Sequence, residues 1–291
     1  MAQALVSILI PAFNAARWIE ATLRSALAQT WRRTEIIVVD DGSSDATPHI
    51  ARRHASTSCK VVTQENRGAA AARNAALSLA QGDWIQYLDA DDLLAPDKVA
   101  QQLRRAADDA CCGSLLSAAW GRFLHTPKCA RFQPDSLWTD LAPTEWIVRK
   151  FQHNVFMTPG AWLVSRTLSH RAGPWDERLS MDDDGEYAAR LVAHSERVCF
   201  VPEATCYYRV GNPGSLSGRR SEQALESLLL SMSLGIEHLL GLERSAAHAR
   251  VPQRCNTWTT TSSSSTPSTW SSQCVRRRWP RHWAAPCANP G

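Results

Sequence analysis

Hydrophobic and polar positions alternate in blocks along the first ninety residues. Residues 5–10 (LVSILI) form a short run rich in branched apolar side chains, as expected of a parallel strand buried on both faces. Apolar positions Trp18, Ile19, Leu23, Ala26 and Leu27 then recur at helical spacing. Residues 35–39 (EIIVV) predict a second buried strand, Asp45–His54 a helix and residues 60–63 a third strand. Gly68–Ala80 is Ala-rich and helical, and Trp84–Leu88 predicts a fourth strand. This alternation predicts an α/β fold, a mainly parallel, Rossmann-like sheet flanked by helices. Such sheets bind ligands beyond the carboxyl ends of their strands. Polar clusters follow residues 10, 39 and 88, so three separate motifs are expected to converge on one edge.

The later pattern is less regular. A charged helix is expected from about 97 to 110, and Asp184–His194 predicts another. Residues 115–175 resist parsing, with Trp120, Trp138, Trp146 and Trp162 spread through them. Residues 197–201 and 205–209 predict two strands, and Ser221–Ala249 one or two amphipathic helices. Beyond 250 the character changes. Residues 251–291 contain no Leu, Ile, Phe, Met or acidic residue, are rich in Ser and Thr, and carry four Trp and Arg276-Arg277-Arg278. Such a segment buries too little aliphatic surface to offset its ordering entropy, so a disordered low-complexity tail is expected. Its abrupt onset suggests out-of-frame translation, which intact-mass measurement on natively expressed protein would refute by finding the tail intact.

Composition narrows the field. The formal net charge of +4 over 291 residues comes from Arg far in excess of Lys, scattered through the first 250 positions and dense in the tail. No single element concentrates it, which argues against nucleic-acid binding. The nine cysteines include no C-x-x-C spacing, so buried reduced thiols are expected. The run Leu5–Ile10 is too short for a signal segment and ends in Pro11. No stretch supplies the ~20 uninterrupted apolar residues of a membrane span. Ala224–Leu242 carries Glu226, Glu237 and His238. A cytoplasmic protein is expected, with adhesion to the inner face of the membrane left open.

Four polar clusters carry candidate chemistry. Asp89-Ala90-Asp91-Asp92 follows the apolar strand WIQYL. Carboxylates one residue apart at a strand end can share a hard cation, Mg²⁺ or Mn²⁺, that bridges to substrate phosphates; a solvated acidic turn is the bland alternative. In Asp40-Asp41-Gly42-Ser43-Ser44-Asp45, Gly42 permits a tight turn and a carboxylate can accept from a base or ribose. Helix capping alone explains Ser44 and Asp45 but not two successive Asp. Asn66-Arg67-Gly68 leads into Ala72-Arg73-Asn74, where Arg73 can reach a base or diphosphate. Asp182-Asp183-Asp184-Gly185-Glu186 opens a helix. Acids favour that position, but three adjacent carboxylates repel, and one with a raised pKa can serve as a general base, worth about 10²–10⁴-fold in rate.

With these residues in hand, the chain resembles the family 2 glycosyltransferases, which have the nucleotide-diphospho-sugar transferase (GT-A) fold. VSILIPAFN resembles the family's opening strand and nucleotide loop, IIVVDDGSSDAT its base-binding segment, NRGAAAARN the stretch with its donor-contacting Arg, and WIQYLDADD its metal-binding D-x-D. The likeness runs in motif order from about residue 5 to 217. It implies a donor-binding half over 1–110, an acceptor-binding and catalytic half over 111–220, a helical extension over 221–250 and the tail 251–291. It implies that Pro11, Phe13 and Asn14 border the nucleotide and that Asp40 and Asp41 read the base or ribose. It sets Arg73 against the donor, Asp89 at ribose and metal, and Asp91 on the metal. MDDDGEYAARL offers Asp183-Asp184 where the family has Glu-Asp, which makes Asp184 the catalytic base. Asp92 and Trp162 are acceptor-side candidates, with burial in the core the alternative for Trp162. Many relatives have a His shortly after a Tyr-Arg pair; here Tyr208-Arg209 is followed by Val-Gly-Asn-Pro-Gly-Ser.

The implied reaction is an inverting, metal-dependent transfer from a nucleotide-diphosphate sugar, UDP foremost, to a saccharide or lipid-linked hydroxyl acceptor in bacterial surface-polysaccharide synthesis. The alternative is a non-catalytic nucleotide-binding scaffold. A haloacid-dehalogenase-type phosphotransferase is disfavoured because Leu93 stands where that family wants Thr or Val. A dinucleotide-dependent oxidoreductase is disfavoured because residues 11–16 hold no Gly.

Overall fold

The computed structural model describes residues 3–108, 113–212 and 221–250. The tail 251–291 lies outside the described residues, and with it the expectation of disorder. Four strands build the first sheet in parallel: β1 (Val6–Ala12), β2 (Thr34–Asp40), β3 (Cys59–Thr63) and β4 (Trp84–Tyr87). Their order is β3-β2-β1-β4. The central strand β1 is buried along its whole length except at Pro11, as the continuous apolar run requires of a strand covered on both faces. The layers above and below come from α1 (Ile19–Leu27), α2 (Thr47–Arg52) and α3 (Ala69–Leu79). Helix α1 buries Ile19, Thr22, Leu23 and Ala26; of the positions read from the sequence Ile19, Leu23 and Ala26 face inward, whereas Trp18 is half-buried and Leu27 exposed. Gly68 adopts φ 94° at the start of α3, a conformation that side chains resist.

The second half includes the stretch that resisted parsing, residues 115–175, and lies on both sides of it. Strand β5 (Leu93–Leu94), helix α4 (Lys98–Asp108), β6 (Leu115–Phe123), β7 (Arg131–Phe132) and α5 (Pro143–His153) come first. They are followed by β8 (Val164–Ser165), α6 (Arg166–Ala172), α7 (Asp183–His194), β9 (Val198–Arg209) and α8 (Glu222–Arg250). Strand β8 adds antiparallel to β4. Strands β5-β9-β6-β7 form a separate four-stranded sheet. The two strands expected over 197–209 are one strand, β9. Its partner register jumps from Val201 to Thr205 opposite Ala118 and Ala119, so Pro202 sits in a bulge, where a missing N–H breaks no ladder bond. Trp162, Trp175, Tyr87 and Tyr187 form one aromatic cluster, with Trp175 stacked on Tyr187 at 4.1 Å. Cys59, Cys199 and Cys206 are buried and unbridged; Cys129 is exposed.

Residues Met1–Ala249 make one compact unit. Within it, α8 is a single helix. Glu222–Ser245 is long and apolar enough to span a bilayer by length and composition. Its Ser227, Ser231 and Gly235 nevertheless pack against the domain, while Leu225, Leu229, Met232, Ile236 and Leu240 form an exposed stripe.

Candidate active site

The strand order sets the site. Because β2, β1 and β4 are neighbours running in one direction, their carboxyl ends lie side by side. Ala12 pairs with Asp40, and Leu9 pairs with Tyr87 two residues before Asp89. The three polar clusters therefore meet at one edge, as the sequence predicts. Phe13 is 47% exposed there. Asn14, at φ 48°, accepts from the Ser44 N–H through Oδ1 and donates its own N–H to Ser43 Oγ. Asp40 is buried with neither carboxylate oxygen hydrogen-bonded, a costly state that a ligand donor would relieve. Asp41 is buried too, but its oxygens accept from Gln64 Nε2, the Arg67 N–H and the Gly68 N–H. It fixes the loop that leads into α3.

Arg73 projects from α3 and ties both halves together. Its Nη2 donates to Asp89 Oδ1 at 2.8 Å and its Nη1 to Asp183 Oδ2 at 2.6 Å. The guanidinium stacks 4.4 Å from the Trp175 ring centre and is 5% exposed. Despite that burial, the neighbouring Asp183 and Asp89 carboxylates raise its already high pKa further. Asp184 is half-buried beside this cluster. Burial and the charges of Asp183 and Asp182 push its carboxyl up to about 7, with Arg73 pulling the other way. A carboxylate in that range holds and yields a proton near neutrality. Burial also pushes Asp183 up, against the pull of Arg73.

The strand-end edge, a buried Arg joining it to an acidic helix start, and a carboxyl pushed up to about 7 lie together. The profile of "Glycosyl transferase family 2" matches residues 7–171. The chain belongs to that family. It is 40% identical over 227 residues to "Putative glycosyltransferase EpsH" of Bacillus subtilis (strain 168), covering 76% of this chain and 65% of that protein. It is 38% identical over 223 residues to "Succinoglycan biosynthesis protein ExoO" of Rhizobium meliloti (strain 1021), covering 73% and 62%. The chain thus spans just under two thirds of these relatives' length. Among solved structures, S. aureus TarS 1–349 in complex with UDP-GlcNAc superposes with a TM-score of 0.62 at 20% identity, over 79% of this chain and 66% of that one. Mannosyltransferase PcManGT from Pyrobaculum calidifontis, in complex with GDP-Man and Mn²⁺, gives 0.56 at 21% identity, over 86% and 76%. At these identities the likeness speaks to the fold, and the fold is GT-A.

Two acceptor-side expectations for this family 2 chain need correction. Trp162 is fully buried, and its ring packs against Trp175 and Tyr187; it is a core residue and offers no face to a sugar. Asp92 is 2% exposed. Its Oδ1 accepts the Arg209 N–H and its Oδ2 the Thr158 hydroxyl, so it anchors β9 and presents almost no surface to an acceptor. Burial, with the charges of Asp91 and Asp89 adding, raises its pKa well above the ordinary range.

The metal candidates are better disposed. Among the described residues no group of three or more His, Cys, Asp or Glu forms a ready cage. Mg²⁺ and Mn²⁺ are commonly held by one or two carboxylates, with water and substrate phosphate completing the shell. Asp91 carries a raised pKa from burial, with the Asp89 charge adding to it, a strain that a cation would relieve. Its Oδ2 accepts from Asn212 Nδ2 at 2.7 Å. Asn212 stands in the segment after Tyr208-Arg209, where many family 2 members have a His. Asn212, Trp175 and Arg209, whose Nε donates to the Asp91 carbonyl, escaped the sequence reading. Asn74 did too; it brackets Trp175 by accepting its N–H and donating to its carbonyl. For Asn212 and Arg209 the signal lay in the Tyr-Arg context; nothing local marked Trp175.

Proposed function

We propose that this chain transfers a sugar from a nucleotide-diphosphate donor, UDP foremost, to a saccharide hydroxyl with inversion, in bacterial polysaccharide synthesis. The single observation that carries the reading is the position of Arg73, bonded at once to Asp89 of the donor edge and to Asp183 beside Asp184. One buried cation thereby joins the leaving-group side to the base side. The unpaired Asp40 carboxylate supports nucleoside recognition at the same edge. Two structural neighbours, in complex with UDP-GlcNAc and with GDP-Man, agree with a nucleotide-sugar donor, and the ExoO name agrees with polysaccharide synthesis.

In this reading Asp184 accepts the acceptor's hydroxyl proton as that oxygen bonds to the anomeric carbon. The carbon–oxygen bond to the diphosphate breaks, and its electron pair leaves with the nucleotide. Arg73 adds fixed positive charge where the diphosphate departs. Asp89 and Asp91 would hold the divalent cation, which when bound neutralises charge developing on the leaving diphosphate. The exposed apolar stripe of α8 supports a further element of the reading, adhesion to the membrane face where lipid-linked acceptors are presented.

Thermal melting with UDP, with and without Mn²⁺, tests the donor site without knowledge of sugar or acceptor. A ligand at 100 times its Kd stabilises by about 2.7 kcal/mol, a midpoint shift of roughly 5–10 °C here. The expected shift depends on Mn²⁺ and is lost in Asp91→Ala. No shift with UDP, dTDP or GDP would overturn the reading.

A further inference from the structure

Helix α7, which carries Asp183 and Asp184, starts without a cap of its own. Asp182 occupies its N-cap position in the left-handed region, φ 57°, and makes no side-chain cap bond. The Asp182 carboxylate instead lies against Gly185, where an added Cβ would sit 2.1 Å from Oδ1. Such a turn persists only where its surroundings over-determine it. The bonds that do so come from α8, more than forty residues later in the chain.

Ser227 Oγ accepts the N–H groups of Ser180 and Met181 at 2.8 and 2.9 Å and donates to the Met181 carbonyl at 2.8 Å. One helical turn on, Ser231 Oγ lies 2.9 Å from the Asp182 carbonyl and 2.6 Å from Asp182 Oδ2, its proton directed at that pair. Both serines are almost fully buried, at 5% and 2% exposure, and their i, i+4 spacing puts them on one face. Farther along, Gly235 packs against Phe151 and Ala189, and His238 Nε2 meets Glu186 Oε1 at 3.1 Å. A helix serving only to cover the core would present aliphatic side chains here. This one presents two hydroxyls to three consecutive residues ahead of the acidic pair.

We propose that Ser227 and Ser231 are positioning residues for Asp184: through Ser180, Met181 and Asp182 they fix the turn that sets the acidic pair beside Arg73. The inference rests on the reading of Asp184 as the base. Its consequence is that α8 belongs to the catalytic apparatus although none of its side chains meets the reacting atoms. The Asp182 charge that the serines hold in place also helps to keep the Asp184 proton affinity high.

The test uses the full chain with Ser227→Ala, Ser231→Ala, the double variant, Ser231→Thr and Asp184→Asn. Alanine favours the helix, so α8 itself is preserved. Carboxyl ¹³C titration of Asp184 is followed in the ligand-free protein. UDP release from UDP-glucose and UDP-GlcNAc with Mn²⁺ gives kcat and KM. Misplacement by about 1 Å can cost about 10²-fold, so the double variant is expected to lose about 10–100-fold in kcat. Its KM for donor and its UDP affinity should stay unchanged, and its Asp184 titration should move down from about 7. Ser231→Thr, which keeps the hydroxyl, should leave both near wild type. A folded double variant with wild-type kcat and an unmoved Asp184 titration overturns the proposal. If the double variant does not fold, the single variants carry the same two readouts. Full turnover in Asp184→Asn would instead overturn the base assignment, and the titration would still decide whether the serines position Asp184.

Discussion

Replacing Arg73 by Ala should destabilise the protein more than any other single change at the site. The substitution removes the cation between Asp89 and Asp183, leaving Asp183, which is 8% exposed, charged and unpaired. Removing one partner of a buried pair costs about 3–5 kcal/mol, and loss of the stack on Trp175 adds about 0.5–2 kcal/mol. Asp89 keeps 27% side-chain exposure and adds little, because water screens it. At about 2–4 °C per kcal/mol for a domain of this size, the melting midpoint should fall by about 10 °C or more at pH 7.5. The deficit must also depend on pH. Without Arg73 the folded-state pKa of Asp183 rises further above its unfolded value, so stability is retained at low pH and lost as pH rises through the folded pKa. The gap from wild type should therefore narrow at pH 5. Calorimetry at both pH values, with Asp183→Asn and the double variant completing a cycle, measures the coupling. A midpoint within about 2 °C of wild type at pH 7.5, or a gap that widens at pH 5, would refute the buried-pair reasoning.

Three further outcomes are expected. Asp184→Asn should cut turnover by about 10²–10⁴-fold while UDP affinity is kept, and wild-type kcat should rise with pH to a plateau above about 7, where Asp184 is ionised; a flat profile from pH 5.5 to 8.5 would refute the assignment. Lys98 is fully buried, bonded to Gln86 Oε1 and the Trp162 carbonyl, and burial pushes its pKa down to about 7. Between that value and its unfolded one the unfolded chain binds the extra proton, so this group's contribution to stability grows as pH rises; Lys98→Met should compare best with wild type at pH 6, and an advantage that grows towards pH 9 would contradict it. Leu229→Ser with Ile236→Ser on the exposed stripe of α8 should reduce sedimentation with phosphatidylglycerol vesicles; equal sedimentation would remove α8 from membrane adhesion.

The first sheet and its polar edge were legible because their signals are local and cooperative. A buried parallel strand must be a continuous apolar run, and its end is marked where that run stops. The runs ending at Ile10, Val39 and Leu88 therefore announced both the sheet and the edge where Asp40 and Asp89 lie. The stretch 115–175 was opaque for the converse reason. Its strand β6 pairs across more than eighty residues with β9, so no window of sequence contains the partner that makes it a strand. Trp162 shows the same limit. A tryptophan between two halves of a site is more often a core residue than a sugar platform, and the faces of Trp175 and Tyr187 against it decide for the core.

Asp40 and Asp41 sharpen the point for chemistry. Two adjacent carboxylates read alike in sequence, and the fold separates them by what surrounds each. Three donors from the loop Gln64–Gly68 engage the Asp41 carboxylate, whereas the Asp40 carboxylate is as buried and has no hydrogen-bond partner. Burial without partners is unfavourable unless a ligand completes the set, so the residue that looks least satisfied is the better candidate for recognition. The acidic triplet divides the same way. Asp182 is engaged by Ser231, Asp183 by Arg73, and Asp184, among the described residues, accepts the N–H of the next residue, Gly185. Its neighbours' bonds leave Asp184 as the carboxylate of the three with capacity to take a proton, and those bonds come from α3 and α8, elements that no local motif connects to it.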